Sequence, residues 1–250
     1  SLSPKLHNYW IKKNNIKAIY EKQKLNETDL EDLILQVKRK KIDGINVTVP
    51  FKKKVIPFLD KLTLEAEKTQ SVNTIYLNNN QIVGHNTDIY GFETSIKKSK
   101  FDICNKEVLI LGAGGVVPSI IFALNKMKVS KIIISNRTKD KAKDLNRLFN
   151  NLNIIEWGEI PNFDMIINAT SLGLKKEDKI NLDFSSIGKN KFFYDVIYNP
   201  KETNFLKTAK NLGNLALNGK LMFIYQALSA FYIWHGLKPS INEDVIKLLD

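Results

Sequence analysis

Glu107-Val108-Leu109-Ile110-Leu111-Gly112-Ala113-Gly114-Gly115 is the stretch that decides the fold. Four apolar residues in a row, bounded by a charge and a glycine, read as a strand buried on both faces. The apolar run that resumes near Val116 and continues to Met127 reads as a helix. Glycines between a strand and a helix let the backbone approach a pyrophosphate, and the helix start offers free N–H groups and a positive dipole end. Val117 holds the place of the third glycine of G-x-G-x-x-G, so the alternative is a plain tight turn. The downstream pattern favours the nucleotide reading. Ile132 to Ile134 reads as a second strand and Asp140 to Phe149 as a second helix. Ile154-Ile155, Met165 to Ile167, Phe192 to Val196 and Leu215 to Leu217 read as further strands. Strands alternating with helices predict an α/β fold with a parallel sheet.

The end of the second strand bears on the cofactor. An NAD site usually carries a carboxylate there for the ribose 2′-hydroxyl. This chain has Ser135-Asn136-Arg137-Thr138 and then Lys141. Two cations suit a 2′-phosphate, Arg137 through two hydrogen bonds, and predict NADP. The alternative is a solvated basic helix start.

Upstream, Ser3-Pro4 before Leu6, Trp10 and Ile11 predicts a capped helix with proline at its first position. Asn26 to Val37 is acidic early and apolar at helical spacing, and predicts an amphipathic helix. Ile45 to Val49 predicts a strand ended by Pro50. Val72 to Tyr76 and Gln81 to His85, flanking Asn78-Asn79-Asn80, predict a hairpin. Helices are expected from Lys220 to Trp234 and from Asn242 to Leu249.

Two short segments of this region carry chemistry. Gly44-Ile45-Asn46-Val47-Thr48-Val49-Pro50-Phe51-Lys52 and Gly84-His85-Asn86-Thr87-Asp88 each place an ionisable group just past a β-branched run. A lysine and a carboxylate that meet in a pocket form a proton-transfer dyad, with the carboxylate orienting the ammonium and burial tuning it toward working pH. The alternatives are a solvated lysine among Lys52, Lys53 and Lys54, and a helix N-cap at Asp88.

Bulk properties set the frame. The chain has 250 residues, is 43% hydrophobic and carries a formal charge of +12. That supports one or two domains. No apolar run approaches the roughly 20 residues that span a bilayer. Cys104 is the only cysteine, so no intrachain disulfide is expected and a reducing cytoplasm is the plain setting. The positive charge suits anionic ligands, but its lysines are scattered and lack interleaved aromatics, which argues against nucleic acid. His7, His85 and His235 read as structural, and no Cys/His cluster suggests a metal.

Taken together, these segments resemble the shikimate dehydrogenase family almost end to end. The matching stretches are Ser1 to Asn8, Asn46 to Lys52, Ser71 to Thr74, Gly84 to Asp88 with Gly91, Gly112 to Gly115, Asn136 to Thr138, Asn168 to Gly173, Asp195 to Pro200, and Gly219 to Met222 with Gln226. The resemblance implies NADP-linked interconversion of 3-dehydroshikimate and shikimate. It also implies two domains. An N-terminal α/β substrate domain, residues 1–88, is completed by C-terminal helices over 220–250, and a Rossmann-type NADP domain over 89–219 is inserted. Lys52 becomes the proton-transfer residue and Asp88 its partner. Ser1, Ser3, Thr48, Asn73, Asp88, Tyr198 and Gln226 become substrate contacts. Gly112, Ala113, Gly114, Gly115, Val116, Asn136, Arg137, Thr138, Lys141, Thr170, Ser171, Val196, Gly219 and Met222 become NADP contacts. The expected partner is the small-molecule substrate, with no nucleic acid and no membrane, and a homodimer is compatible with the sequence. Hydroxyls suit a carboxylate without a full counter-charge, and amides both donate to and accept from ring hydroxyls.

The chain departs from the family in two places. The strand that leads into Ser1 in family members is absent, and upstream residues are expected to be missing from the sequence. Val116-Val117-Pro118-Ser119 replaces the usual small residues, but proline is tolerated in a first helical turn. Two other readings stand beside this one. The first is a dual quinate/shikimate dehydrogenase. The second is a silent Rossmann protein that only binds ligand, against which the presence of both Lys52 and Asp88 counts.

Overall fold

The structure is a computed structural model and describes residues 1–175 and 177–249. The chain folds into two compact units, Ser1–Gly91 with Ile224–Asp250, and Phe92–Phe223.

The first unit opens with α1 (Ser3–Lys13) and, after a long irregular segment, α2 (Leu30–Lys38). Pro4 lies in the first turn of α1, where its missing N–H costs nothing, but Ser3 is itself helical, with its N–H donating to Ser1 Oγ at 3.2 Å, and does not cap the start. The expected cap is therefore absent. A short 3-10 turn at Glu27–Asp29 precedes α2, so the helix foreseen from Asn26 starts in two steps. Next come β1 (Gly44–Asn46), β2 (Lys61–Leu62), α3 (Leu64–Thr69), β3 (Thr74–Asn78) and β4 (Gln81–His85). They form one sheet in the order β1-β3-β4-β2. β1 and β4 each run antiparallel to β3, and β2 parallel to β4. The hairpin turn pairs Asn78 with Gln81 and puts Asn79 and Asn80 at φ 46° and 61°. Two left-handed asparagines make the primed turn whose twist matches the strands. Leu30, Ile34, Val55, Val72, Ile75 and Ile82 pack together between α2 and this sheet. Each such side chain is worth roughly 1.5–3 kcal/mol when fully buried.

β1 is shorter than the sequence predicts. Val47 N–H makes a last bond to the Asn73 carbonyl at 2.9 Å, and then the chain turns, with Phe51 N–H donating to the Thr48 carbonyl. Val49 is left 62% exposed, so the alternating pattern here belongs to a turn rather than a strand.

α4 (Asp88–Ser99) leads into the second unit. There β5 (Glu107–Leu111), α5 (Val117–Lys126), β6 (Lys131–Ser135), α6 (Lys139–Phe149), β7 (Leu152–Ile155), β8 (Met165–Asn168), β9 (Phe192–Asp195), α7 (Asn204–Asn211) and β10 (Leu215–Asn218) come one after another. Every pairing in this sheet is parallel, and the strand order is β10-β9-β8-β5-β6-β7. That order reverses between β5 and β8, the position where doubly wound sheets bind ligands at the strands' carboxyl ends. Strand interiors are wholly buried, as the apolar runs require. Leu109, Leu111, Ile133, Phe163, Ile166, Phe193 and Phe205 form the core.

α8 (Lys220–His235) and α9 (Glu243–Leu248) return the chain to the first unit. Asn242 caps α9 by accepting from Val245 N–H at 3.1 Å. Trp234 of α8 donates its indole N–H to the Ile75 carbonyl at 3.2 Å. The ring lies where a side chain on Gly44 would be, 2.0 Å from the position of a β-carbon there. Glycine at 44 thus makes room for the indole. No helix among the described residues is long and apolar enough to cross a membrane.

Candidate functional site

In the first unit the ionisable pair meets. Lys52 Nζ donates to Asp88 Oδ2, with side chains only 13% and 9% exposed. Lys52 sits just beyond the turn after β1, and Asp88 is the first residue of α4. The carboxylate accepts from a second donor, and the backbone beside it is fixed as well. Asn73 Nδ2 donates to Asp88 Oδ1 at 2.9 Å. Asp88 N–H donates to Asn86 Oδ1 at 3.1 Å, and Asn86 Nδ2 in turn donates to the Ser71 carbonyl at 2.9 Å. Asn73 Oδ1 accepts from Thr87 N–H at 2.8 Å. All these groups are buried. A buried polar group costs energy unless bonded, so a closed network of this kind is rigid.

A second strand of the network leaves Asn73. Asn46 Nδ2 donates to the Asn73 carbonyl at 3.0 Å and to Thr74 Oγ1 at 3.1 Å. Asn46 Oδ1 accepts from the Tyr20 hydroxyl at 2.9 Å. Burial and the Ser3 hydroxyl act in opposite directions on that phenol, and burial pushes it up to about 12. Ser3 Oγ lies 2.9 Å from Ser1 Oγ. Lys52, Asp88, Asn73, Asn46 and Tyr20 therefore belong to one hydrogen-bonded network, while Ser1 and Ser3 bond each other. Thr48 is exposed at the turn after β1, and Gln226 is half-buried on α8. Tyr198 lies in the second unit, stacked on Phe223 with centroids 4.4 Å apart.

The three histidine side chains lie outside this hydrogen-bonded network. His7 is buried against Tyr20, Trp10, Phe231 and Trp234, and burial holds it down to about 3, so it is neutral. His85 Nδ1 lies 2.8 Å from Thr63 Oγ1, and burial lowers both His85 and His235. Among the described residues no His/Cys/Asp/Glu cluster could hold a metal ion.

The second unit gathers the other expected residues at the carboxyl ends of its strands. Gly112 follows β5 with φ 107°, and a β-carbon there would stand 2.9 Å from the Ala169 carbonyl oxygen. Only glycine suits that backbone and that spacing. Gly114 and Gly115 are exposed, and α5 begins with Val116 as an N-cap that makes no side-chain bond. Val117 N–H donates to the Gly114 carbonyl at 3.0 Å and Ser119 N–H to that of Val116 at 3.1 Å, so backbone turns close the helix start, whose positive dipole end still favours a phosphate. Pro118 sits in the first turn without disturbing the helix. After β6, Asn136 Nδ2 donates to the Thr138 carbonyl at 2.7 Å. Arg137 and Lys141 are exposed and have no carboxylate partner among the described residues, whereas Lys139 is taken by Glu156 and Lys143 by Asp140.

Buried bonds also fix the loops after β8 and β9. Asn168 Oδ1 accepts from Thr170 N–H and Oγ1 at 3.1 and 2.7 Å, and Asn168 Nδ2 donates to Asp195 Oδ1 at 3.1 Å. Asp195 also accepts from Thr203 Oγ1 at 2.6 Å and from Ile197 N–H at 3.0 Å. Burial raises the Asp195 carboxyl despite these bonds. Val196 N–H donates to the Asn168 carbonyl and Gly219 N–H to that of Ile197, which ties the ends of β8, β9 and β10 together. Ser171 is exposed, and Met222 is buried in the first turns of α8.

A family model described as "Shikimate dehydrogenase substrate binding domain" matches residues 1–75, and one described as "Shikimate / quinate 5-dehydrogenase" matches residues 95–196. A shikimate dehydrogenase (NADP(+)) of Pelagibacter ubique is 59% identical over all of this chain and 94% of its own. The chain belongs to the shikimate dehydrogenase family. Solved structures of the family agree in fold. Shikimate dehydrogenase from Aquifex aeolicus is 36% identical with a TM-score of 0.88, covering 100% of this chain and 92% of its own. The Thermus thermophilus enzyme, solved in complex with NADP(H) and shikimate, is 28% identical with a TM-score of 0.90, covering 100% and 94%. Family membership fits the two-unit α/β architecture and the doubly wound sheet.

Sequence reasoning missed Tyr20. It lies 26 residues from Asn46, in a segment with no periodic pattern, so no local signal marks the contact.

Proposed function

We propose that this chain catalyses the reversible, NADP-linked reduction of 3-dehydroshikimate to shikimate, in the cytoplasm. The observation that carries this reading is the Lys52–Asp88 pair, locked in a buried amide and hydroxyl network, in a chain similar along its whole length to NADP(+) shikimate dehydrogenase. On this reading Ser1–Gly91 with Ile224–Asp250 binds the substrate, and Phe92–Phe223 binds the nucleotide.

The residues present fit NADP. The Gly112 backbone has no room for a side chain, the positive dipole end of α5 follows the glycine turn directly, and Arg137 and Lys141 are exposed without a carboxylate partner among the described residues and suit a 2′-phosphate. Gly112 to Val116 would hold the pyrophosphate, with Asn136 to Thr138 and Lys141 at the ribose and its phosphate. Thr170, Ser171, Val196, Gly219 and Met222 would line the remainder. Bound NADP supplies the hydride donor or acceptor.

The first unit's own residues supply the proton chemistry. Lys52 Nζ gives a proton to the ketone oxygen in reduction and takes it back from the hydroxyl in oxidation. Asp88 holds the ammonium through Oδ2, while Asn73 fixes Oδ1, so the pair meets the substrate in one orientation. Ser1, Ser3, Thr48 and Gln226 would bind the carboxylate and the remaining hydroxyls, a mostly neutral lining that rejects ligands leaving its buried donors unpaired.

The test is NADPH absorbance on mixing the protein with shikimate and NADP. Shikimate-dependent NADPH formation is expected, and its absence would overturn the reading. A second reading, activity on quinate as well, is favoured by the quinate in the description of the matched family model. We expect quinate to react weakly, because its extra hydroxyl would lose water beside Ser1 and Ser3. A kcat/KM for quinate equal to that for shikimate would move the chain to dual specificity.

A further inference from the structure

Asp195 ends β9, and its register partner at the end of β8 is Asn168. Both are wholly buried. A carboxylate closing an otherwise apolar strand costs energy unless it is bonded, so its bonds show what it is there to hold. The segments that leave β8, β9 and β10 at this edge carry Thr170 and Ser171, Val196, and Gly219, which the proposed reading gives to NADP. All of these residues lie in the second unit.

The direction of each bond comes from chemistry. Thr170 N–H only donates, so the Asn168 oxygen faces it at 3.1 Å. The Leu172 carbonyl only accepts, so the Asn168 nitrogen faces that at 3.0 Å. The same nitrogen donates to Asp195 Oδ1 at 3.1 Å, and the same oxygen accepts from Thr170 Oγ1 at 2.7 Å. Turning the amide over would set N–H against N–H and oxygen against oxygen. Asp195 is met by donors on both oxygens. Oδ1 also accepts from Ile197 N–H at 3.0 Å, and Oδ2 from Thr203 Oγ1 at 2.6 Å. Both sides of the pair lead on to the three segments. Leu172 N–H donates to Thr170 Oγ1 at 3.0 Å, which closes the loop after β8. The Ile197 carbonyl accepts from Gly219 N–H at 3.1 Å, and a β-carbon on Gly219 would stand 2.2 Å from the Val196 carbonyl oxygen.

We infer that Asp195 is a positioning residue for the cofactor: through Asn168 it sets the loop that carries Thr170 and Ser171, and through Ile197 N–H it sets the backbone of Val196 and Gly219. The inference rests on the proposed NADP reading, in which those residues line the nucleotide. Apolar residues at 168 and 195 would spare the burial of a carboxylate but would leave the loop after β8 without a fixed direction. Asn168→Ser removes the arm that joins the loop to Asp195. Asn168→Asp keeps the shape but turns a donor into an acceptor, which then faces both Asp195 Oδ1 and the Leu172 carbonyl. Adding Asp195→Asn to that variant returns a donor to the pair.

The experiment measures the Kd for NADPH by its fluorescence as it is titrated into the purified protein, without substrate, and records thermal midpoints alongside. Asn168→Ser and Asn168→Asp are each expected to raise Kd by about 10-fold or more, the scale of a buried donor left unpaired. The double variant should bind at least about threefold more tightly than Asn168→Asp alone. Ser95→Ala serves as the comparison for stability. It removes the buried bond of 2.8 Å between Ser95 Oγ and the hydroxyl of Tyr194, the residue before Asp195, and touches none of the three segments. It should lower the thermal midpoint and leave Kd within about twofold. Asn168→Ser adds no charge to the core, so it decides the matter even if the second carboxylate of Asn168→Asp prevents folding. An Asn168→Ser Kd equal to wild type would overturn the inference, as would a double variant no tighter than Asn168→Asp. A Ser95→Ala Kd raised as far as that of Asn168→Ser would do the same, showing that binding merely follows stability. Failure of the wild type to bind NADPH would instead sink the reading beneath it.

Discussion

The two units handle their polar groups in opposite ways. In the first, Lys52, Asp88, Asn73, Asn86 and Thr87 are shielded and bonded to one another. In the second, Arg137 and Lys141 stand in solvent with no carboxylate partner among the described residues, while their neighbours Lys139 and Lys143 are paired. A shielded network pre-pays the cost of orienting its members, so its members act as a unit and are hard to replace singly. On the proposed reading, exposed cations that meet a phosphate act almost independently, and each loss should weaken binding without disturbing the fold.

The sharpest way to break this comparison is Lys52→Ala. We expect kcat to fall by roughly 10²–10⁴, the scale of general acid–base catalysis, with a smaller change in KM. Steady-state kinetics showing a near-normal kcat would remove Lys52 from the chemistry. Arg137→Ala should come next. It should raise the NADP KM by the equivalent of roughly 1–3 kcal/mol, a charge-assisted bond, while leaving the NAD KM and the thermal midpoint alone. An equal effect on both cofactors would show that Arg137 does not meet the 2′-phosphate.

The third expectation concerns pH. His7 is held down to about 3 by burial, against an ordinary value near 6.5 in the unfolded chain. Above pH 6.5 both states are neutral and the histidine has no pH-dependent effect. Below it the unfolded state takes up a proton that the folded state refuses, so stability falls as pH drops from about 6.5 toward 3. At pH 5 this amounts to about 2 kcal/mol. His7→Phe should flatten the decline in thermal midpoint between pH 7 and 5, and an unchanged slope would show that His7 is not the group responsible. The smallest effects belong to Lys53→Ala and Lys54→Ala. Lys53 is exposed, and Lys54 makes only a surface pair with Glu27. Each should change stability by no more than about 0.5 kcal/mol and leave kcat within twofold.

The sequence exposed the parallel sheet more fully than the mixed one. Val108 to Leu111 and Ile132 to Ile134 are apolar throughout because both faces are covered, so their strands announce themselves. The pair β2 (Lys61–Leu62) and its helix α3 went unread, since a two-residue strand has no periodicity to detect. α7 was also missed, although Thr203 caps it by accepting from Leu206 N–H at 3.4 Å, a signal visible as a threonine before Phe205 and Leu206. In the candidate site, Lys52 and Asp88 were legible because each comes just after a β-branched run, and the structure joins them across 36 residues. The Tyr20–Asn46 bond depends on where an unpatterned segment crosses the end of β1, which only the folded chain determines.

The indole of Trp234 filling the space left at Gly44 has a consequence for the order of assembly. The polypeptide emerges from the ribosome N-terminus first, yet the first unit lacks Ile224–Asp250 until the whole second unit has been made. The second unit, continuous from Phe92 to Phe223, has all its residues earlier and can fold as a block. Of the two units, the one begun first is then the later to close, with Trp234 as the piece that completes it. Ribosome-stalled chains ending before residue 224 should show protease resistance over the parallel sheet while residues 1–91 are still cut, and equal resistance of both would refute that order.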